Sequence, residues 1–142
     1  MANFEFDASD LFNHLTDKER RTLQVQEIAV QDSIDDLKRI SSEIAPIKDS
    51  GLRKSVTTET EITAGGVVGE VHFSVLEKTG DGTFNYAYWT HEMDYNLGPR
   101  SAAAPGTDGY HVGNKYLERP LKGESQKYVN NWAKAISEVM DK

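Results

Sequence analysis

Apolar residues in this chain keep a helical rhythm near its two ends and a two-residue rhythm between them. Leu23, Val30, Ile34, Leu37 and Ile44 fall on one stripe, with small Ser41 filling the remaining slot. Arg20, Gln24, Glu27, Gln31, Asp35, Lys38 and Ser42 occupy the opposite face, which together predicts a long amphipathic helix. Thr16 with Glu19 three residues later reads as its capping box, and Pro46 stops it by pushing the preceding residue out of the α region. The stripe suits a helix packed on a sheet and, over part of its length, a seam against a neighbouring subunit. Ahead of it, residues 1–16 predict an extension or a short helix over 8–16, capped by Asp7 or Ser9, with Leu11, Phe12 and Leu15 on one side.

The middle of the chain alternates. After a turn at Asp49-Ser50-Gly51, Leu52 to Thr63 predicts a strand with Ser55, Thr57, Glu59 and Glu61 on one face and Val56, Thr58, Thr60 and Ile62 on the other. Ala64-Gly65-Gly66 makes the hairpin connection, and Val67 to Lys78 returns with Val71, Phe73 and Val75 opposed to Glu70, His72 and Ser74. Thr79-Gly80-Asp81-Gly82 is the next turn, and Asn85 to Met93 is expected as a further strand, with Tyr86 and Tyr88 on one face and Ala87 and Trp89 on the other. Residues 94–114 have no regular period and carry two prolines and an alanine run, so they predict a long mobile loop. Tyr116 to Leu121 is expected as an extended or short helical piece broken by Pro120. A closing helix then runs from about Gly123 to Met140, its stripe formed by Val129, Trp132, Ala133, Ile136 and Val139 or Met140. The expected fold is α+β: an antiparallel sheet of about four strands packed against a long N-terminal helix and a C-terminal helix. All 142 residues fit a single domain.

Charge narrows the function classes. The formal net charge is −7, from 16 basic and 23 acidic residues, which argues against a general nucleic-acid-binding role. Arg53-Lys54 is the best local basic patch. With no cysteine, neither a disulfide scaffold nor a thiolate zinc site is available. No apolar run is long enough to span a membrane, and the first residues lack a signal-peptide pattern, so the expectation is a chain made in a cytoplasm.

Candidate chemistry is sparse. The histidines are His14, His72, His91 and His111, and His91-Glu92 is followed by Tyr95 where a zinc-protease helix needs its second histidine. Asp81, Glu92 and Asp94 lie close in sequence, as acidic residues must somewhere in so acidic a chain. Gly80-Asp81-Gly82 is too short for a calcium loop, and no nucleophile elbow or phosphate-binding loop occurs. The expectation is therefore no catalytic residues, no metal and no cofactor. The aromatic group Phe84, Tyr86, Tyr88, Trp89 and Tyr95 suits a protein interface better than single-stranded nucleic acid, which would need a basic groove.

Three blocks carry a resemblance. Pro46-Ile47-Lys48-Asp49-Ser50-Gly51-Leu52-Arg53-Lys54-Ser55 resembles the form Pro-x-x-Asp-Thr-Gly-x-Leu-Arg-x-Ser, with Ser50 in place of threonine and no residue between Gly51 and Leu52. Tyr86 to Glu92 has the form Tyr-Ala-x-x-x-His-Glu, and Lys115 to Leu121 the form Lys-Tyr-Leu-Glu-x-Pro-Leu. In these blocks, their order and the closing helix, the chain resembles the minor capsid, neck and tail-completion proteins of long-tailed bacteriophages over about residues 17–140. The stretch from His91 to Gly113 departs from that pattern, being longer and richer in Ala, Pro and Gly.

The resemblance implies a non-enzymatic virion protein of the phage neck, made in the host cytoplasm. It implies a homo-oligomeric ring, commonly sixfold, that docks onto head-closure (connector) and tail-tube proteins. An acidic lumen would let DNA pass without specific binding, and no membrane is involved. Arg53, Lys54, Tyr86, Tyr88, Trp89, Tyr95 and Arg100 are the candidate subunit-interface residues. Alternatives are a tail-terminator, a capsid-associated minor protein outside the neck, and a small carbohydrate- or ligand-binding module using Tyr86, Tyr88 and Trp89 as a platform.

Overall fold

The computed structural model describes residues 16–47 and 51–141. The expected helix over 8–16 and most of the turn at 49–51 lie outside the described residues. Helix α1 spans Asp17–Ile44 and opens with the expected capping box: Thr16 Oγ1 accepts from Glu19 N at 3.3 Å while Thr16 N donates to the Glu19 carboxylate at 2.9 Å. It stops at Ala45, whose extended backbone suits the position before Pro46. Its fully covered positions are Ser33, Ile34, Leu37, Ile40, Ser41 and Ile44. Ile40 lies off the stripe read from sequence yet has no exposed surface. The buried arc is wider than one stripe because α1 packs against several elements at once. Ser41 survives at 0% exposure by donating to Leu37 O at 2.6 Å, so its hydroxyl is satisfied within the helix.

A single helical turn, α2 (Gly51–Lys54), precedes strand β1 (Thr57–Thr63). The expected strand from Leu52 is thus shortened at its start, because Leu52 turns inward to 2% exposure and Ser55 closes the turn onto Leu52 O. β1 pairs antiparallel with β2 (Gly66–His72) around Ala64-Gly65, with Thr60 opposite Gly69. The expected alternation holds on both strands, with Thr58, Thr60 and Ile62 less exposed than Glu59 and Glu61. Gly69 is where the hairpin crosses α1. A Cβ there would come to 2.7 Å from both Val30 Cγ1 and Ile34 Cγ2.

The expected strand from Val67 to Lys78 is interrupted at Phe73–Val75. Beyond it, β3 (Leu76–Thr79) pairs with β4 (Gly82–Asn85) across Gly80-Asp81. The four strands therefore form two separate two-stranded sheets rather than one.

Residues Tyr86–Glu92 are a helix, α3, where the sequence pattern predicted a strand. Asn85 decides this: its Oδ1 accepts from the N–H groups of Ala87 at 3.1 Å and Tyr88 at 3.3 Å. Such a cap satisfies the orphan donors of a first helical turn and outweighs the β preference of the aromatic and threonine side chains.

Segment 94–114 contains a short helix, α4 (Pro99–Ala103), and is tied to the end of α1. Ser101 Oγ accepts from Ile47 N at 2.7 Å, Asp108 pairs with Arg39 at 2.8 Å, and Gly113 N donates to Ile44 O at 3.0 Å. The final helix, α5, spans Glu118–Met140 and so begins before Gly123. Pro120 sits in its first turn, where a missing N–H costs no helical bond. Its buried residues are Pro120 and Tyr128, both outside the expected stripe; Trp132, Ile136 and Val139 are half-buried, while Val129 and Ala133, expected inward, are exposed.

Helix α5 lies along α1. Asp36 on α1 accepts from Tyr128 Oη at 2.8 Å and Lys127 Nζ at 3.2 Å, and Trp132 Nε1 donates to Ser33 Oγ at 2.9 Å. No helix among the described residues is long and apolar enough to cross a membrane.

Candidate assembly surface

The three sequence blocks, far apart along the chain, meet in one place. Leu52 from the first, Ala87 from the second and Tyr116 from the third pack together with Ile44 and Ala45 at the end of α1. Tyr116 is the centre. It is 1% exposed, donates its hydroxyl to Ala87 O at 2.6 Å, and meets the rings of Phe73 (4.9 Å) and His91 (5.0 Å) edge-on. Burial raises the pKa of its phenol well above the ordinary tyrosine value.

Around this centre the blocks are cross-linked by polar contacts. Lys115 N donates to His91 O at 2.8 Å, and the Lys115 ammonium pairs with the Glu92 carboxylate. That ammonium, with a lesser contribution from His91, holds the Glu92 carboxyl below the usual carboxylate range. Glu118 N donates to His91 Nε2 at 3.3 Å, which leaves the proton on Nδ1, 3.1 Å from Glu92 Oε1. In the first block, Arg53 Nε donates to Ala45 O at 2.8 Å and Ser42 Oγ donates to Arg53 O at 2.9 Å. These residues close the fold. None is arranged as a nucleophile with a base.

The seven residues marked as interface candidates separate into two groups. Tyr88 (65% exposed) and Trp89 (38%) reach the surface, as do Lys54 and Arg100. Arg53, Tyr86 and Tyr95 are half-buried. Burial lowers the pKa of the Arg53 guanidinium, and it pushes the Tyr95 phenol up to about 12. The Tyr95 hydroxyl donates to Thr90 O at 2.5 Å, and its ring stacks on Trp89 at 5.4 Å, so Tyr95 braces Trp89 from beneath. Because 86–92 is helical, Tyr86, Tyr88 and Trp89 do not line up on one strand face. The expected alternation, with Tyr86 and Tyr88 on one face and Ala87 and Trp89 on the other, is replaced by an α-helical distribution.

Met93, 46% exposed and one helical turn beyond Trp89, extends the apolar surface and was not singled out by sequence. Its position became readable only once α3 was known to be a helix. Among the described residues, one set of potential metal donors comes within 4.8 Å: Glu59, Glu70 and His72. All three are exposed on the outer face of the first hairpin, where Glu59 and Glu70 sit directly opposite each other. With neighbouring Glu61 they make a solvated acidic strip.

No family model, curated protein or solved structure matches the chain.

Proposed function

We propose that this chain is a structural, non-enzymatic virion protein of the phage neck, forming a homo-oligomeric ring that joins head to tail. The observation that carries the reading is the meeting of the three resemblance-bearing blocks in a single folded core around Tyr116. Sequence blocks retained for chemistry would converge on a cleft with reactive groups. These converge on packing and on backbone hydrogen bonds, as expected where a family shares a scaffold and acts through its surfaces.

In this reading the exposed rings of Tyr88 and Trp89, with Met93, form the contact made with a neighbouring subunit. Large amphipathic side chains of this kind are enriched at interface centres. The acidic strip of Glu59, Glu61 and Glu70 is the candidate lumen lining that repels DNA phosphates. The head-closure and tail-tube proteins are the proposed partners. The segment 94–114, held against the end of α1 and carrying exposed Arg100, is a candidate contact with the adjacent ring. The carbohydrate-binding alternative would use the exposed rings of Tyr88 and Trp89 on α3.

Gold-labelled antibody against the chain, applied to phage particles purified from a lysate in which the chain is produced, tests the placement. Label at the head–tail junction supports the neck reading. Label over the shell moves the protein to the capsid-associated class, and absence from particles overturns both.

A further inference from the structure

Helices α1 and α5 lie side by side, but the β1–β2 hairpin rests on α1 and makes no extended contact with α5. An apolar cleft of about 400 Å³ remains, with Val30 and Ile34 in its floor, Val71 on one side and Trp132 and Ile136 on the other. Leu121 on its rim is 47% exposed. Val129, which shares a helical face with Trp132 and Ile136, is 48% exposed. The apolar stripe of α5 therefore finds no full cover among the described residues.

The hairpin side of the cleft decides what shape of cover fits. β2 pairs with β1 along one edge, and its other edge pairs with no strand among the described residues. That pairing runs unbroken from Gly66 to His72, and β2 has no proline, lysine or bulge of the kind that blunts an open edge. The cleft is lined from β2 and by no described residue of β1, so the open edge faces α5. Unpaired backbone N–H and C=O groups beside an apolar floor fit an extended strand. Two added strands at about 4.8 Å spacing would widen the sheet by ~10 Å, about the distance between the axes of two packed helices.

The same chain carries such a pair and leaves it exposed. The sequence alternation predicted one four-stranded sheet, but β3–β4 leaves it at Phe73–Val75 and stands as a separate two-stranded unit. Two strands of four residues are marginal alone and gain stability by joining a larger sheet. All of β3 is exposed, and Leu76 is 66% exposed. β4 runs through Asn85 straight into α3, so this hairpin adjoins the Tyr88, Trp89 and Met93 surface.

We infer that the β3–β4 hairpin of one copy adds to the open edge of β2 in the next, completing a four-stranded sheet over α1 and α5 with Leu76 entering the cleft. The contact is heterologous, hairpin of one copy on cleft of another, and so repeats head to tail as a ring requires. It rests on the self-association reading above and supplies the neighbour's half of that contact.

The cysteine-free sequence allows a direct test. Unlabelled chain with a nitroxide on Asp81→Cys, in the β3–β4 turn, is mixed with isotope-labelled unmodified chain. Loss of NMR intensity is expected at the Val67 and Val71 amides and the Trp132 indole N–H of the labelled chain. Leu76→Glu in the nitroxide chain, or Leu121→Glu in the labelled one, should restore it with melting unchanged, since both side chains are exposed. Light scattering on the same mixture separates the two claims. A mass that climbs without intensity loss overturns this inference and leaves self-association standing. A mass fixed at one protomer overturns both. Intensity loss that survives both variants overturns the inference. So does loss seen only when nitroxide and isotope share one chain, since the hairpin then lies on its own β2.

Discussion

Tyr116 is the point at which the account is most exposed. Replacing it with phenylalanine keeps the ring against Phe73 and His91 and removes only the 2.6 Å hydrogen bond to Ala87 O. A buried hydrogen bond contributes about 1 kcal/mol net, and a carbonyl left short of its partner adds part of a desolvation cost of roughly 1–3 kcal/mol. The expected loss is therefore about 1–2 kcal/mol. At about 3–5 °C per kcal/mol for a chain of this size, thermal melting should fall by roughly 3–10 °C. Tyr116→Ala also opens a cavity where Ile44, Ala45, Leu52 and Ala87 converge. Large aromatic-to-alanine changes of this kind cost about 3–5 kcal/mol, a large share of the roughly 5–15 kcal/mol that holds an ordinary domain together. Urea titration of both variants, followed by circular dichroism, measures the two losses separately. If Tyr116→Phe melts with the parent and Tyr116→Ala costs under about 1 kcal/mol, the three blocks do not form the centre of the fold. The structural reading of them then fails.

Four further outcomes are expected. Gly69→Ala pushes a methyl into Val30 and Ile34, whose branched side chains are rotamer-locked in a helix, and should cost about 1–3 kcal/mol by urea titration. Asp36→Asn weakens the contacts to Tyr128 and Lys127 that bind α5 to α1, and its pair with Arg39 within α1, and should lower stability by about 1–2 kcal/mol in the same assay. Glu92 and Asp108, held below the usual carboxylate range by Lys115 and Arg39, contribute stability present above the unfolded carboxylate pKa. That stability is lost as pH falls through their lowered folded values, so an acid limb should appear below about pH 4 in melting scans and shrink in Lys115→Met. At the other extreme, Tyr95 favours the neutral phenol in the fold. Its contribution is intact below about pH 10 and is lost as pH rises toward about 12, which phenolate absorbance should follow.

The helices and the first hairpin were legible because their signals are local and periodic. Thr16 and Glu19 mark a start, Pro46 a stop, and Thr58, Thr60 and Ile62 alternate with Glu59 and Glu61 as a half-buried strand must. Tyr86–Glu92 was misread because its aromatic and threonine content favours a strand, while the deciding signal was one residue, Asn85, acting as an N-cap. The early start of α5 was hidden by Pro120, which reads as a breaker unless it is known to fall in a first turn. Ile40 was missed for a different reason: its burial comes from tertiary packing outside the stripe that periodicity reveals. The candidate site was legible only in part. Sequence pointed to the aromatic cluster, but Tyr95 stacking beneath Trp89, and Met93 beside them, depend on the turn after α3.

The central claim, that the chain works by associating with copies of itself through the Tyr88, Trp89 and Met93 surface, is tested most directly by light scattering across concentration. The account predicts a mass that climbs from the 15.9 kDa protomer toward a closed multiple. It also predicts that Tyr88→Glu with Met93→Glu abolishes the climb while melting stays within about 2 °C of the parent, as surface changes should. A mass fixed at one protomer at every concentration, or a climb that the double variant leaves intact, would contradict it.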